Sequence, residues 1–449
     1  MANLVKLSTL ARLLNGKRLG SDVNFTGLSL DSRSIKPHEL FIALRGEKFD
    51  GHHFIELAKQ RGAAAAVVDH VIDTDLPLVQ VRDTRKALGE LAKHHRRQFS
   101  IPIIALTGSC GKTTTKEMIR SILDEVGPVL TNFKNFNNDI GLPLTLLNLN
   151  NQHRYAVIEI GANHIGEIEY LTHITQPNVA LVTNIGPAHL QGFGSLAGVA
   201  EAKAEIFSGL VKNGVAIINA DDKFANTIQK ACAAFRIVRF GLSEQADFSA
   251  TNIQMDADGK TRFLLHAPSG KEMMISLCLP GQHHALNALA AAAAASQVGV
   301  ELSDIKSGLE KMQPVPGRVI VSKTKIGATL IDDSYNANPS SVAVALKLLA
   351  HYTGQRIFVM GDMGELGQNA IDYHRQIGQL AKELNIDDVY TCGDLSKETA
   401  KAFGASAKHY PDHQALILAL KSRLQENVTI LVKGSRSAQM EKVAAALMD

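Results

Sequence analysis

"LTGSCGKTTTKEM", residues 106–118, joins the β-rich run "IIAL" to a segment where Met118, Ile122 and Val126, with Ile119 and Leu123, recur at helical spacing. Strand, glycine turn and helix form the context that a phosphate-binding loop requires. Gly108 and Gly111, flanking Ser109 and Cys110, let backbone N–H groups approach phosphate oxygens with no Cβ in the way. The helix N-terminus adds its partial positive charge. Lys112 can reach terminal phosphates, and Thr113 or Thr114 can offer a hydroxyl to Mg²⁺. The turn is nonetheless short, because the form G-x-x-x-x-G-K-[ST] would need glycine at Leu106. Cys110 beside Lys112 sits where thiols become acidic, but the turn offers it no base, so it reads as a tolerated small residue.

The same alternation runs outward from this turn. "YAVIEIG", "VALVTNIG" and "GVAIINAD" follow it as apolar runs ending in polar or glycine turns, separated by helical stretches. Such runs indicate a parallel sheet buried on both faces. Before residue 100 the texture is shorter, with "LFIAL", "AAAAVVD" and "PLVQV" around the helical "GHHFIELAKQRGA". After "MQPVPGR", where Pro314, Pro316 and Gly317 suggest a linker, the pattern returns in "ATLIDDS", "RIFVMGD", "DDVYTCGD" and "VTILVKGS". A chain of 449 residues exceeds one compact core. The expectation is α/β throughout, in three domains spanning 1–100, 101–314 and 315–449. Ligands should sit at the carboxyl ends of the strands.

Composition narrows the class. With 45% hydrophobic and 20% charged residues, the chain reads as soluble and globular. "ALNALAAAAAAS" (285–296) suits close helix packing and is too short and too weakly apolar to span a bilayer. "MANLVKLSTLARLLNG" reads as an amphipathic helix rather than a secretory signal, so a cytoplasmic location is expected. The four cysteines show no C-x-x-C pair, which argues against a zinc site or a disulfide framework. Residues 1–100 hold 16 Lys+Arg against 11 Asp+Glu, a surplus of 5 that could attract a phosphorylated ligand. "KHHRR" (93–97) supplies three of those charges on an expected helix end.

Triphosphate chemistry calls for Mg²⁺, a hard ion that favours oxygen ligands. Glu159 closes the apolar run "YAVIE", where a carboxylate is costly to bury unless paired or coordinated. By residue type it reads as a metal ligand or half of a buried salt bridge. His189, in a loop, and Lys203, in a helix, carry no such signal from spacing alone.

Taken together the motifs resemble the Mur ligase family, ATP-dependent enzymes that build the peptide of bacterial peptidoglycan. "TGSCGKTT" is similar to that family's T-G-x-x-G-K-T, which accounts for the short turn. "DSRSIKPHELFIALRGEKFDGHHFI" resembles its uridine-nucleotide-binding domain. "NFNNDIGLPLTLL", "EIGANHIGEI" and "TNIGPAHLQGFGSLAGVAEAKAEIF" resemble its ATPase domain, and "VPGRV", "IDDSYNANPSS", "GDMGELG" and "LVKGSRSAQME" its linker and Rossmann-like last domain. "DDSYNANP" with "KGSRS" points to the branch that joins D-alanyl-D-alanine to a UDP-N-acetylmuramoyl-tripeptide.

The resemblance implies roles that spacing does not. Lys203 matches a lysine carried as a carbamate, an anionic ligand for one Mg²⁺ beside His189. Glu159 and Thr113 match the ligands of a second Mg²⁺. Asn287 matches an adenine-side asparagine, in a motif where the family usually has His-Asn and this chain has His283-His284. Arg318 matches a linker arginine reaching the phosphates, and Asp333 and Tyr335 match positions touching ATP ribose or phosphates. Ser32, Arg33 and Asn138 are expected on the substrate. The implied chemistry is phosphorylation of a carboxylate by ATP, followed by attack of an amine on the acyl phosphate. Lys112, His189, Lys203 and Arg318 are the expected catalytic groups. No nucleic acid and no membrane insertion are expected, and the chain is expected to be a monomer. Against the branch that adds the third peptide residue stands the absence of D-N-P-R. Folylpolyglutamate synthetase lacks the first domain, and a P-loop switch or kinase rests on the loop alone.

Overall fold

The structure, a computed structural model, describes residues 5–46, 49–268 and 270–448. The run that opens the phosphate loop becomes the strand Ile103–Thr107, all five residues buried. It lies inside a six-stranded, wholly parallel sheet, between the strands Val179–Val182 and Tyr155–Glu159. Val215–Asn219 and Arg236–Phe240 extend one side, and Val129–Thr131 the other. Burial on both faces explains why these strands read as continuous apolar runs. The polar residues at their carboxyl ends then gather along one edge.

A five-stranded sheet precedes it, ordered Lys17–Leu19, Leu78–Gln80, Ala65–Val68, Glu39–Ile42, Gly27–Ser29, with only the first pair antiparallel. A six-stranded sheet follows, ordered Ile320–Lys323, Thr329–Asp333, Val428–Lys433, Gln355–Gly361, Asp388–Cys392, Ala407–Tyr410, again antiparallel only at the first pair. The mainly parallel α/β reading therefore holds in all three.

Locally, two points differ from the sequence reading and one is sharpened. The amphipathic N-terminal segment is a helix only over Leu7–Leu13; Val5–Lys6 pair with Asn24–Phe25, and residues 1–4 lie outside the described residues. Leu7, Leu10 and Ala11 are buried, so one short face suffices to anchor it. "KHHRR" does fall on a helix end, as expected. Arg96, at the end of the Thr84–Arg96 helix, is buried and donates to the carbonyl oxygens of Thr175 (3.0 Å) and Gln176 (3.3 Å). These carbonyls end the Glu167–Thr175 helix, where a cation is favoured. The sheet Ser249–Met255, Lys260–His266, Glu272–Pro280 is antiparallel and was not anticipated. Its middle strand turns Phe263 and Leu265 inward and Arg262 outward, the period-two pattern of a half-buried strand.

The alanine-rich segment forms the helix His283–Ser296, with Ala285, Ala288 and Ala290–Ala295 fully buried. It packs on the phosphate-loop helix Lys112–Asp124. The Leu302–Lys311 helix also approaches Lys112–Asp124, and a Cβ on Gly308 would lie 2.3 Å from Ile122 Cα. Gly308→Val should therefore cost about 1–3 kcal/mol of stability through overpacking, read as a lowered denaturation midpoint in urea. An unchanged midpoint would show that this helix pair can separate freely.

Candidate active site

The glycines of the loop are required where they stand. Gly108 has φ +149° and Gly111 φ +77°, and an added Cβ would meet Thr183 Oγ1 at 1.9 Å or Asn287 Oδ1 at 2.6 Å respectively. A loop that offers N–H groups must also place its carbonyls, since buried polar groups left unpaired are costly. Thr183 Oγ1 (2.7 Å) and Asn184 Nδ2 (3.0 Å) both donate to the Cys110 carbonyl, and Asn184 Oδ1 accepts from the Cys110 N–H at 2.9 Å. Ser109 Oγ bonds the Gly186 backbone. Lys112 Nζ donates to the Gly108 carbonyl at 2.6 Å. Burial pulls the Lys112 amine below the ordinary lysine range, against the opposing pull of the Glu159 charge.

Beside the loop, Thr113 Oγ1 donates to Glu159 Oε2 at 3.0 Å, while Asn137 Nδ2 donates to Oε1 at 2.9 Å. Glu159 is buried, and its backbone N–H is held by Asn132 Oδ1 at 2.7 Å. A hydroxyl and a carboxylate so placed form an oxygen-donor set suited to Mg²⁺. Among the described residues Glu159 has no salt-bridge partner, which sets aside the buried-pair alternative.

Lys203, in the helix Leu196–Ala204, is 1% exposed. Its Nζ lies 5.2 Å from the Phe193 ring centroid, and none of the described residues hydrogen-bonds or ion-pairs with it. Burial, with Lys112 adding to it, pushes its pKa down to about 7. His189, at φ +53°, lies with Nδ1 2.5 Å from Glu365 Oε2 of the last segment.

The last segment closes the other side. Asn338 caps the Pro339–His351 helix, accepts from Cys110 Sγ at 3.2 Å, and aims Nδ2 at the Ser109 carbonyl at 3.5 Å. Burial pushes the Cys110 thiol up, consistent with an inert small residue rather than a nucleophile. Asp333 pairs with buried Lys433, which also donates to the Asn336 carbonyl at 2.9 Å. Burial raises the Asp333 pKa, and Lys433 pulls it back. Arg318 stacks on the Tyr335 ring at 4.5 Å, with Arg436 at 5.8 Å.

One cavity of about 1110 Å³ gathers Ser109–Thr114, Asn138, Glu159, His189, Asn287, Arg318, Asp333 and Tyr335. Ser32 and Arg33 do not line it: Ser32 is buried in the first segment, and Arg33 is exposed and paired with Asp31. Gly108 and Lys203 do not line it either. Asn138 spends its side-chain oxygen on the Gly141 N–H at 2.9 Å, at the start of the Gly141–Leu147 helix. Sequence reading missed Asn137, Thr183, Asn184, Asn338 and Lys433; for Lys433, the signal was a lysine inside the apolar run "VTILVK".

Three family descriptions match the chain: "Mur ligase family, catalytic domain" over residues 24–96, "Mur ligase middle domain" over 106–295, and "Mur ligase, glutamate ligase domain" over 317–436. The UDP-N-acetylmuramoyl-tripeptide–D-alanyl-D-alanine ligase of Escherichia coli K12 is 46% identical, covering 99% of this chain and 98% of that protein. The chain belongs to the Mur ligase family. A MurF crystal structure from Acinetobacter baumannii superposes on this Mur ligase with TM-score 0.95 at 37% identity, covering 100% of this chain and 99% of that one. Another from that organism is described as a UDP-N-acetylmuramoylalanyl-D-glutamyl-2,6-diaminopimelate–D-alanyl-D-alanyl ligase, with TM-score 0.89, 36% identity and coverage of 100% and 99%. The MurF ligase of Thermotoga maritima in complex with ADP gives TM-score 0.84 at 28% identity, over 94% of this chain and 96% of that one.

The buried amine of this Mur ligase sets a pH test. Below pH 7 Lys203 is charged in both folded and unfolded chains, and its burial cost is complete. Between about 7 and the unfolded value near 10.5 the unfolded chain holds the extra proton, so stability rises with pH. In carbonate-free buffer, Lys203→Met should be more stable at pH 7 by roughly a few kcal/mol and lose that rise. Chemical denaturation across pH 6–10 reads both; parallel curves for the two proteins would refute the buried unpaired amine.

Proposed function

We propose that this Mur ligase joins D-alanyl-D-alanine to UDP-N-acetylmuramoyl-tripeptide at the expense of ATP, through an acyl phosphate, in cytoplasmic peptidoglycan precursor synthesis. The observation that carries the reading is the Thr113–Glu159 contact beside a glycine loop whose Cys110 carbonyl is held by Thr183 and Asn184. The likeness to D-alanyl-D-alanine ligases over nearly the whole chain supports the acceptor. A relative in complex with ADP supports a nucleotide; in this reading the nucleotide lies at residues 108–114, with Asn287 on the adenine side and Arg318, Asp333 and Tyr335 from the last segment. Ser32, Arg33 and Asn138 are assigned to the UDP-substrate. The functional units are divided near residues 100 and 314, with Pro314–Gly317 as the hinge between the last two.

Amide formation from a carboxylate is uphill in water, so the protein's task is alignment and neutralisation of developing charge. Lys112 leaves the Gly108 carbonyl for the terminal phosphates, and Arg318 approaches from the opposite wall. Thr113 and Glu159 would hold one Mg²⁺, and His189 with Lys203 a second. When bound, Mg²⁺ supplies neutralisation of the transferring phosphoryl group. As an ammonium Lys203 would repel such an ion. A buried amine with a pKa near 7 keeps its lone pair available, and carbamylation by CO₂ would turn it into an oxygen ligand.

Phosphate release in the presence of the tripeptide should depend on D-alanyl-D-alanine, and Lys112→Ala should slow it by roughly 10²–10³-fold. Release indifferent to the dipeptide would leave only a P-loop hydrolase or switch. With ¹³C-bicarbonate, the protein should give a carbamate resonance that Lys203→Met lacks. A spectrum without that resonance in the unaltered protein would remove the carbamate.

A further inference from the structure

The cavity continues past the phosphate loop to the first segment, where it is lined by Asp83, Arg85 and Lys86, with Asp139 of the middle segment beside them. Asp83 is committed, because its carboxylate caps the Thr84–Arg96 helix through the Arg85 and Lys86 N–H groups at 2.8 and 3.1 Å. Arg85 is fixed but not saturated. Its Nε and Nη2 donate to the Arg45 carbonyl at 3.3 and 3.0 Å, and its Nη1 donates to Asp139 Oδ2 at 2.9 Å. A guanidinium has five N–H donors, so about two remain. Asp139 Oδ1 has no partner among the described residues. The side chains are 40% and 38% exposed, and both line the cavity wall.

We propose that Arg85 and Asp139 form a specificity site for a free amino-acid head, a carboxylate and an ammonium on one carbon, borne by the third residue of the peptide. The inference rests on the ligase reading above. The two spare N–H groups of Arg85 meet the carboxylate, and the spare oxygen of Asp139 meets the ammonium. One relative's description specifies 2,6-diaminopimelate, which has two amino-acid ends. One end lies in the peptide and carries the carboxylate to be activated; the other stays free as a zwitterion. Lysine offers the same ammonium without the carboxylate.

The scale agrees. Asp139 follows by two residues Asn137, which holds Glu159 beside the phosphate loop. Two residues of chain reach at most about 7 Å, and the two ends of diaminopimelate are separated by four carbon–carbon bonds, some 5 Å. A carboxylate at the phosphate loop thus leaves the free head in range of the pair. As a tether between segments alone, a half-exposed ion pair would contribute little. Its open donors and acceptor facing the cavity suit a ligand better.

The test is steady-state ligation with two UDP-linked tripeptides, one ending in meso-diaminopimelate and one in lysine. KM should be about tenfold lower for the first. Arg85→Met should raise KM for the diaminopimelate peptide alone and erase the preference, with Arg85→Lys restoring part of it. Asp139→Asn should raise KM for both peptides, since both carry the ammonium. Thermal unfolding of each variant monitors folding, and the preference of the unaltered protein is itself a measurement that needs no variant. Equal KM values in the unaltered protein, or equal shifts in Arg85→Met, would reduce the pair to a tether. Absence of ligation with either peptide would overturn the ligase reading itself, and this inference with it.

Discussion

The grip of Thr183 and Asn184 on the Cys110 backbone is the constraint on which the site depends. A turn can present N–H groups to an anion only if its own carbonyls are satisfied elsewhere. The neighbouring strand Val179–Val182 supplies that satisfaction, because parallel pairing with Ile103–Thr107 brings Thr183 level with the loop. Gly108 lies against Thr183 at that strand end, and Gly111 lies against Asn287 of the alanine-rich helix. Asn338 then joins the last segment to the same loop through Ser109 and Cys110.

Around that loop the chain buries charge that a folding requirement alone would not select. Lys433 and Asp333 neutralise one another, and Glu159 is held by a hydroxyl and an amide. Among the described residues Lys203 has neither kind of partner. Burying an unpaired amine costs stability, and the fold tolerates it only because the surrounding sheets over-determine the position. Such a residue is a candidate for chemistry rather than for structure.

Much of the architecture was legible from local pattern. The doubly buried strands are apolar along their length, so "IIALT", "YAVIE" and "VALV" announced themselves. The antiparallel sheet 249–280 did not, because "KTRFLLH" alternates weakly and its inward face is set by contact with the alanine-rich helix. In the site, Gly108, Gly111, Lys112 and Thr113 could be read from one stretch, since a phosphate loop is local in sequence. Asn137, Thr183, Asn184 and Asn338 could not, since an asparagine in a loop has many uses and only its neighbours select one. Arg96 shows the converse: it was counted only as a charge on a helix end, and it is spent on the end of another helix.

By itself the sequence determined the strand–turn–helix units, the phosphate loop and, through its motif set, the family, because these depend on contacts between residues close along the chain. Tertiary structure decided which strand ends became neighbours, that Glu159 faces Thr113, that Lys203 is enclosed with no partner among the described residues, and that the last segment reaches the loop. These depend on burial and on pairs far apart in sequence, such as Cys110 with Asn338 and Arg85 with Asp139. Local pattern cannot encode them, since the free energy of a polar side chain is set by the dielectric and partners that the fold brings to it.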